Sequence, residues 1–185
     1  DRPIVIINTM RIDDIHFIDE GKQIIALPGS TLFDLENKLA PIGREPHSVI
    51  GSTSIGASIV GGVCNNSGGS LIQRGPAYTE LSIYAQVNDK GELKLINDLG
   101  VELGSSPEEI LTNLQEKNYT SNQVQFPDKL ASDNEYEKRL RAIDQETPAR
   151  FNADKRRLYG VSGSAGKVAV FAVRLDTYPA AKKNK

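Results

Sequence analysis

The sequence of 185 residues contains no tryptophan, one methionine, one cysteine and two histidines. A single cysteine, Cys64, cannot form an internal disulfide bond, and such a count is typical of proteins from reducing compartments. The histidines, His16 and His47, are not spaced as a pair of metal ligands, so the sequence predicts no metal site. The length is sufficient for one domain with a hydrophobic core.

The sequence also lacks an excess of basic residues. It has 22 lysines and arginines against 24 aspartates and glutamates, a net charge of -2. A nucleic-acid-binding surface needs a basic surplus, so we expect no nucleic-acid partner. Long apolar runs are missing as well, because no stretch approaches the roughly 20 residues of a membrane span, and no signal peptide is present.

The two ends of the chain suggest that it is part of something longer. The chain opens with almost no lead-in to an apolar run, and it closes on a polar tail directly after a strong predicted strand. We interpret the chain as a piece of a longer protein, and the alternative is a trimmed form of a complete domain.

The hydrophobic patterns predict an α+β fold with a mostly antiparallel sheet and flanking helices, because hairpins are frequent and no regular βαβ alternation occurs. Capping signals at Thr31 and Ser106 mark the starts of two helices. Residues 118–160 are polar and predict a surface excursion, or alternatively an interface with another domain or a membrane. The predicted elements are a buried strand Ile4–Thr9, a hairpin over 13–27, a helix over 30–40, a hairpin over 79–100, a helix over 105–115 and a central strand over 167–175.

The stretch "GSTSIGASIVGGVCNNSGGS", residues 51–70, is rich in glycine and serine and has no charged residue. Glycine lets a ligand approach the main chain, and successive N–H groups can bind anionic oxygens. The run "IGASIVGG" predicts one helical turn whose N-terminus would favour a phosphate. Alternatively, the glycines only permit tight packing of a turn-rich segment. The ligand interpretation assigns phosphate contacts to Gly51, Ser52, Ser54, Gly56 and Ser58, and contacts with a heterocycle to Asn65, Asn66 and Ser67.

Better-known glycine motifs do not fit this stretch. "GASIVG" has Ser58 where a dinucleotide fingerprint has its second glycine, and no Rossmann βαβ frame surrounds it. Gly166 and Lys167 are followed by Val168 rather than serine or threonine, which excludes a Walker A loop. No G-x-S-x-G nucleophile motif occurs.

The run "ALPGSTLFDLENKLAPIGREPHSVIGSTSIGASIVGGVCNNSGGSLIQRGPAYTE" closely resembles the quinone-dependent D-lactate dehydrogenases of bacterial respiratory chains. These enzymes are part of the flavoprotein superfamily that includes vanillyl-alcohol oxidase and p-cresol methylhydroxylase. The resemblance covers nearly the whole chain and includes "LSIYAQVNDKGELKL", "TPARFNAD" and "SGSAGKVAVFAVRLDTY". Within it, "GREPHSVIGS" and "CNNSGGSLIQRGPAYTE" are long and specific.

The resemblance implies that residues 1–178 are the second α+β subdomain of a p-cresol-methylhydroxylase-type FAD-binding domain, and that residues 179–185 are a tail or linker. FAD is expected to bind non-covalently in a cleft between two subdomains. The first subdomain is then expected before Asp1, and the substrate-binding cap domain and the membrane-associating region after Lys185.

By motif position, the resemblance implies flavin contacts at Gly51, Ser58, Gly68 and Val170. Weaker candidates in the same loop are Ser52, Ile55, Gly56 and Gly62. Val170 lies in the strand "AVFAV", which is apolar on both faces and offers backbone groups and a dry wall to the flavin ring. A covalent flavin link through histidine or Cys64 is not expected.

The activity implied by the resemblance is oxidation of D-lactate to pyruvate, with electrons passing through FAD to a membrane quinone. The partners would be D-lactate and quinone, and the protein would lie peripherally on the cytoplasmic side of the bacterial inner membrane. The reaction needs a base and a cation for the lactate carboxylate. His47, Arg74 and Arg150 are the candidates here, but structural roles are favoured for all three, so no catalytic residue is assigned.

Two other functions stay open. One is another FAD-dependent oxidoreductase of 2-hydroxyacids or alcohols from the same superfamily, against which the run "REPHSVIGS" argues. The other is that the isolated chain, which holds half a cleft, is a folded module without catalytic activity.

Overall fold

A five-stranded antiparallel sheet forms the centre of the computed structural model, which describes residues 6–48, 53–68, 71–146 and 155–181. Short α-helices lie on both faces of this sheet, so the predicted α+β class is confirmed. Within the described residues, the elements in chain order are β1 Ile15–Ile18, β2 Gln23–Ala26, α1 Leu32–Leu39, β3 Arg44–Glu45, α2 Ile59–Cys64, β4 Ser82–Val87, β5 Leu93–Asn97, α3 Pro107–Gln115, α4 Tyr136–Arg141, β6 Ala169–Asp176 and β7 Tyr178–Pro179.

The strands are ordered β1-β2-β6-β4-β5, and every neighbouring pair is antiparallel. Both predicted hairpins are present, β1–β2 around Gly21 (φ 82°) and β4–β5 around Gly91 (φ 79°). Strand β6 lies in the middle, as its apolar residues on both faces predict. A second, two-stranded ribbon joins β3 to β7.

Each face of the sheet has its own hydrophobic cluster. Helices α1 and α2 cover one face and bury Leu32, Leu35, Ile59 and Val63 together with β2 and β6 side chains. Helix α3 and the segment 99–103 cover the other face. Burial of each such side chain contributes about 1.5–3 kcal/mol relative to exposure, so these two layers hold the fold together.

A β-bulge interrupts the pairing of β4 with β6. Ile83 pairs with Ala172, but the next residue, Tyr84, pairs with Val170, which leaves Phe171 as an extra residue on β6. Val170 and Val173 therefore face the α1–α2 layer together, although they are three residues apart.

Hydroxyl side chains begin the helices, as the sequence predicts for α1 and α3. Thr31 caps α1 by accepting the Asp34 N–H, and Ser106 caps α3 by accepting the Glu109 N–H. The predicted helical turn in "IGASIVGG" is α2, which Ser58 caps by accepting the Gly61 N–H.

The prediction of a buried strand over Ile4–Thr9 is wrong where it can be examined. Residues 6–9 have no secondary structure, and Ile6 and Ile7 are 89% and 78% exposed. The residues before Ile6 lie outside the described part of the chain. A β-rich apolar run becomes a buried strand only if a partner strand is available, and the described sheet provides none for this run.

The predicted surface excursion is organised around a buried carboxylate. Asp133 is 1% exposed and forms ion pairs with Arg139 and Arg157, which both follow it within the excursion. Main-chain hydrogen bonds from Glu80 to Leu130 and from Asp176 to Ala131 join the excursion to the rest of the fold. Tyr119 and Val124 pack against the α3-side cluster. The described residues of 118–160 are thus polar but are held closely to the core.

Candidate functional site

Helix α2 lies in the middle of the glycine-rich stretch and is fixed at its start by the turn before α1. The Leu32 N–H donates to the Ala57 carbonyl at 2.9 Å, and the Ile59 N–H donates to the Ser30 carbonyl at 3.1 Å. The apolar side chains of α2 then pack into the α1–α2 layer. The glycine-rich stretch is therefore rigidly positioned along this part, rather than being a free loop.

A second loop, residues 159–167, lies against the end of α2. The Gly163 N–H donates to the Val63 carbonyl at 3.1 Å, and the Ala165 N–H donates to the Cys64 carbonyl at 2.9 Å. The loop leads into β6, and Val168 just before this strand and Val170 within it pack against the cluster that includes α2. The structure thus brings the glycine-rich stretch and the start of β6 to one place.

The predicted flavin-contact residues that the structure describes differ in their exposure to solvent. Ser58, Gly62 and Val170 are half-buried, whereas Ile55, Gly56 and Gly68 are exposed. Gly51 and Ser52, which were predicted to contact the cofactor, lie outside the described residues, as does Arg150.

The atoms that surround each glycine show whether close packing requires a glycine at that position. A Cβ atom built on Gly56 or Gly68 would meet nothing within 4 Å, so these two glycines are not needed for packing. Gly61 differs, because its Cβ would lie 2.6 Å from the Ser58 hydroxyl oxygen. The tight-packing interpretation therefore explains Gly61, and the left-handed φ of 88° explains glycine at position 56. The open main chain at Gly56 and Gly68 is also available to a ligand.

A polar cavity of about 400 Å³ adjoins this region. Its lining includes Tyr159, Ser164 and Lys167 from the second loop, Gln86 from β4 and Val168 next to β6. The sequence reasoning did not assign these residues to the site. The signal that could have identified them is the second small-residue run, "SGSAG" at 162–166, which directly precedes a strand.

The asparagines predicted to meet a heterocycle are largely occupied within the protein. Asn66 is 3% exposed, and its amide lies against Gly163. The Asn65 amide nitrogen donates to the Gly61 carbonyl at 3.1 Å. The prediction for Asn66 is therefore wrong, because the second loop covers this side chain.

His47 and Arg74 have the structural positions that the sequence favours. Arg74 donates to the Glu45 carboxylate at 2.5 Å and to the Pro46 carbonyl at 2.8 Å, and its guanidinium lies 4.8 Å from the centre of the Tyr178 ring. His47 is 4% exposed. Burial, and secondarily the positive charge of Arg74, lowers the pKa of His47 from 6.5 to about 4, so this imidazole is neutral at pH 7.

Cys64 is half-buried at the end of α2. Burial raises the pKa of its thiol, which makes it a poor nucleophile at neutral pH.

Outside this region, the described residues contain one larger cavity and no cluster of metal-ligand side chains. Among them, no group of three or more histidine, cysteine, aspartate or glutamate side chains is arranged to hold a metal ion. A larger, mainly apolar cavity of about 530 Å³ is lined by Phe17, Tyr119 and Phe126, next to the β1–β2 turn. In the part of the chain that the structure describes, no helix has the length and apolar character needed to cross a membrane.

Comparison with known proteins indicates a specific group of enzymes. The chain is similar to quinone-dependent D-lactate dehydrogenases. It is 61% identical over 183 residues to the enzyme of Haemophilus influenzae, 55% over 182 residues to that of Escherichia coli and 50% over 179 residues to that of Corynebacterium glutamicum. These matches cover 97–99% of this chain, and they confirm the resemblance read from the sequence.

The matched region is only part of each relative. The chain spans about a third of the length of the curated relatives it matches, 32%, 32% and 31% respectively. No protein-family model matches the chain.

Proposed function

We propose that this chain is part of a quinone-dependent D-lactate dehydrogenase and forms one side of its FAD site. The observation that carries the proposal is the 61% identity to the Haemophilus influenzae enzyme over 99% of the chain. A match of that extent includes both the glycine-rich stretch and the start of β6, which the fold brings together.

The described residues fit a flavin nucleotide. Main chain is open at Gly56 and Gly68, where a side chain would otherwise limit the approach of a ligand. Val168 and Val170 provide apolar side chains at the start of β6, and Lys167 adds positive charge at the adjoining polar cavity. The residues proposed to contact FAD are Gly51, Ser52, Ile55, Gly56, Ser58, Gly62, Gly68 and Val170.

Ser58 has a double role in this proposal. Its oxygen accepts the Gly61 N–H at 2.9 Å and so begins α2, while its hydroxyl proton is available for donation to an anionic oxygen of the cofactor. The chemistry that a bound FAD supplies is acceptance of two electrons from C2 of D-lactate and their onward transfer to quinone. The residues of this chain bind and orient the cofactor, and they are not proposed to take part in proton transfer.

We also propose that the full-length protein lies peripherally on the cytoplasmic face of the bacterial inner membrane. The support is chemical, since the relatives are named as quinone-dependent and respiratory quinones are dissolved in the membrane. Membrane contact is proposed for regions outside this chain.

The test is to replace the matched third of the Escherichia coli relative with this chain and to purify the chimera. We expect it to contain FAD in a one-to-one ratio and to reduce a short-chain quinone when D-lactate is added. A folded chimera without FAD would overturn the proposal. A folded chimera with FAD that oxidises other 2-hydroxyacids but not D-lactate would favour the other oxidoreductase function.

Substitution of Gly68, where a Cβ atom would meet no protein atom, tests whether this part of the chain contacts FAD. Gly68→Val in the chimera adds a side chain where no protein atom lies within 4 Å, so the thermal midpoint of the apoprotein should not change. The FAD content should fall at least about tenfold, a loss of about 1.4 kcal/mol in binding. Unchanged FAD content would remove Gly68 from the proposed contacts.

A further inference from the structure

The apolar cavity of about 530 Å³ at the β1–β2 turn has the size and lining of a small-molecule site. Three aromatic rings line it, those of Phe17, Tyr119 and Phe126, together with the aliphatic side chains of Ile42 and Val124. Ligand pockets in proteins typically enclose roughly 300–1,000 Å³ and have mainly hydrophobic and aromatic walls. The cavity therefore fits an organic ring compound.

This cavity lies at the opposite end of the sheet from the proposed FAD contacts. Gln23, next to the β1–β2 turn, pairs with Asp176 at the end of β6, whereas Val170 lies near the start of that strand. The length of β6 between Val170 and Asp176 is about 20 Å, at about 3.3 Å per residue. None of the residues that line the cavity is a proposed FAD contact.

Part of the cavity wall has an unfavourable backbone conformation. Asp19, Glu20 and Lys117 line the cavity and have left-handed φ angles of 47°, 54° and 52°. They are three of the five non-glycine residues with such a φ in the described part of the chain. Residues with a Cβ atom rarely adopt this conformation, and those that do are concentrated at binding and catalytic sites.

The polar groups at the cavity include donors that no protein group uses. Lys117 and Ser121 line it, and neither side chain has an ion pair or hydrogen bond among the described residues. Because the carboxylates of Asp19 and Glu20 are also present, the lining has charges of both signs. This combination favours a neutral ligand with oxygen acceptors over an anion or a cation.

A buried positive charge lies behind one aromatic wall. The Arg174 guanidinium is 4.7 Å from the centre of the Phe126 ring, and Arg174 is completely buried. Its Nη2 has no hydrogen-bond partner among the described residues. A positive charge at this wall favours a ligand that presents partial negative charge, as carbonyl oxygens do.

We propose that this cavity binds a neutral ring compound that carries carbonyl oxygens, the chemical class to which quinones belong. The aromatic side chains pack against the ring, while Lys117 and Ser121 donate to its oxygens. The proposal rests on the cavity alone and not on the proposed function. It concerns binding and includes no electron transfer.

Two-dimensional NMR of the 185-residue chain tests the proposal, because the spectrum also shows whether the chain is folded. The probe is tetramethyl-1,4-benzoquinone, and tetramethylbenzene, which lacks the carbonyl oxygens, is the matched control. We expect saturable shifts of amide signals at 17–21 and 117–126, and at least about tenfold weaker binding of tetramethylbenzene. Equal binding of the two compounds, or shifts centred elsewhere, would overturn the proposal. So would tighter binding of tetramethylbenzoate or benzyltrimethylammonium, since either would indicate a site for an ion.

Substitution of the unpaired lysine separates a ligand contact from a structural role. Lys117→Met keeps an unbranched apolar side chain and removes the donor, so the affinity for the quinone should fall about fivefold while that for tetramethylbenzene stays the same. Lys90→Met, at the exposed β4–β5 turn, is the matched control and should change neither affinity. Equal weakening of both compounds by Lys117→Met, or no weakening of either, would contradict the proposed donation.

The chimera provides a second measurement if the spectrum shows an unfolded chain. The purified chimera is dialysed to equilibrium with the quinone in the absence of D-lactate. Ser121→Trp places a large side chain at the cavity and should lower the number of quinone molecules bound per chimera by about one. Equal numbers in the two proteins, as when other polypeptide covers the cavity, would overturn the proposal.

Discussion

At the scale of single residues, the least expected side chain is Arg174, which is completely buried within β6. Its Nη1 donates to the Gln125 carbonyl at 2.7 Å and its Nε donates to the Gln23 amide oxygen at 2.8 Å. The Phe126 ring lies 4.7 Å from the guanidinium. The sequence shows only an arginine in an apolar strand. The uncharged oxygens that accept from it come from three distant segments, at Gln23, at 99–100 and at Gln125.

The first prediction concerns this arginine. Arg174→Met should lower the free energy of unfolding by about 2–4 kcal/mol, because it leaves buried acceptors unsatisfied on Gln125 and Gln23. The measurement is urea denaturation at pH 7. Arg141→Met is the control, since Arg141 is 77% exposed and its pair with Glu137 should contribute less than about 1 kcal/mol. Equal losses in the two variants would contradict the proposed importance of the buried contacts.

The second prediction follows from the neutral imidazole of His47. Its pKa is about 4 in the fold and 6.5 ordinarily, so the unfolded chain takes up the proton first as the pH falls. Stability present above pH 6.5 is therefore lost on acidification toward pH 4, by about 2 kcal/mol between pH 7 and pH 5.

Urea denaturation at pH 7 and pH 5 measures this effect, and His47→Gln is the comparison. The drop in stability should be smaller in the variant by about 2 kcal/mol, while His16, whose pKa is also lowered by burial, contributes equally to both proteins. Identical pH dependence in the two proteins would show that His47 is not buried in its neutral form.

At the scale of elements, α2 and α3 begin in the same way but differ in surroundings. Ser58 and Ser106 each accept a backbone N–H of their own helix. Only Ser58 lies in the glycine-rich stretch, beside main chain that is open to a ligand. The same substitution at both serines therefore shows whether an effect on FAD binding arises from helix capping or from a cofactor contact of Ser58.

The third prediction uses this pair in the chimera. Aspartate caps helices as well as serine does, so Ser58→Asp and Ser106→Asp should each change the free energy of unfolding by less than about 0.5 kcal/mol. Ser58→Asp should weaken FAD binding at least about tenfold, because its carboxylate would repel the cofactor diphosphate. Ser106→Asp should leave binding unchanged. Fluorescence titration with FAD measures both, and equal affinities would exclude a phosphate near Ser58.

At the scale of the whole molecule, the described site is open to solvent on the side of Ile55, which is 83% exposed, and Gly68. The fourth prediction is that the isolated chain binds FAD at least about tenfold more weakly than the chimera and oxidises no D-lactate. Titration of the 185-residue chain with FAD, followed by a D-lactate-driven dye assay, measures both quantities. Tight stoichiometric binding with turnover by the isolated chain would contradict the half-site interpretation.

Local signals explain why much of the fold could be predicted. Capping residues at Thr31 and Ser106, the turn at Gly21 and the apolar run of β6 each specify an element through contacts within a few residues. The sequence did not reveal what depends on distant partners. Residues 6–9 have strand composition but no described partner, and the 159–167 loop joins the site only through its contacts with α2.

The candidate site, like the fold, was predictable where local sequence signals exist and not where contacts with distant segments decide the structure. The glycine-rich stretch and the beginning of β6 were recognisable from composition and family resemblance, and the structure places apolar residues of both in one cluster. The burial of Asn66 beneath Gly163 was not, since it depends on a loop about 100 residues away in the chain. The cofactor contacts themselves stay predictions.

The extra residue in β6 lets the start of the strand and its β2-paired part meet different structural requirements. Because Phe171 is accommodated by the bulge, residues before it can change length or shape with the ligand while the pairing of β6 with β2 keeps its register. Without the bulge, regular alternation would place Val168 and Val170, which lie an odd number of residues before Val173, on the opposite face of the sheet. The bulge therefore keeps the apolar side chains at the start of β6 on the α1–α2 side of the sheet while the rest of the strand stays paired with β2.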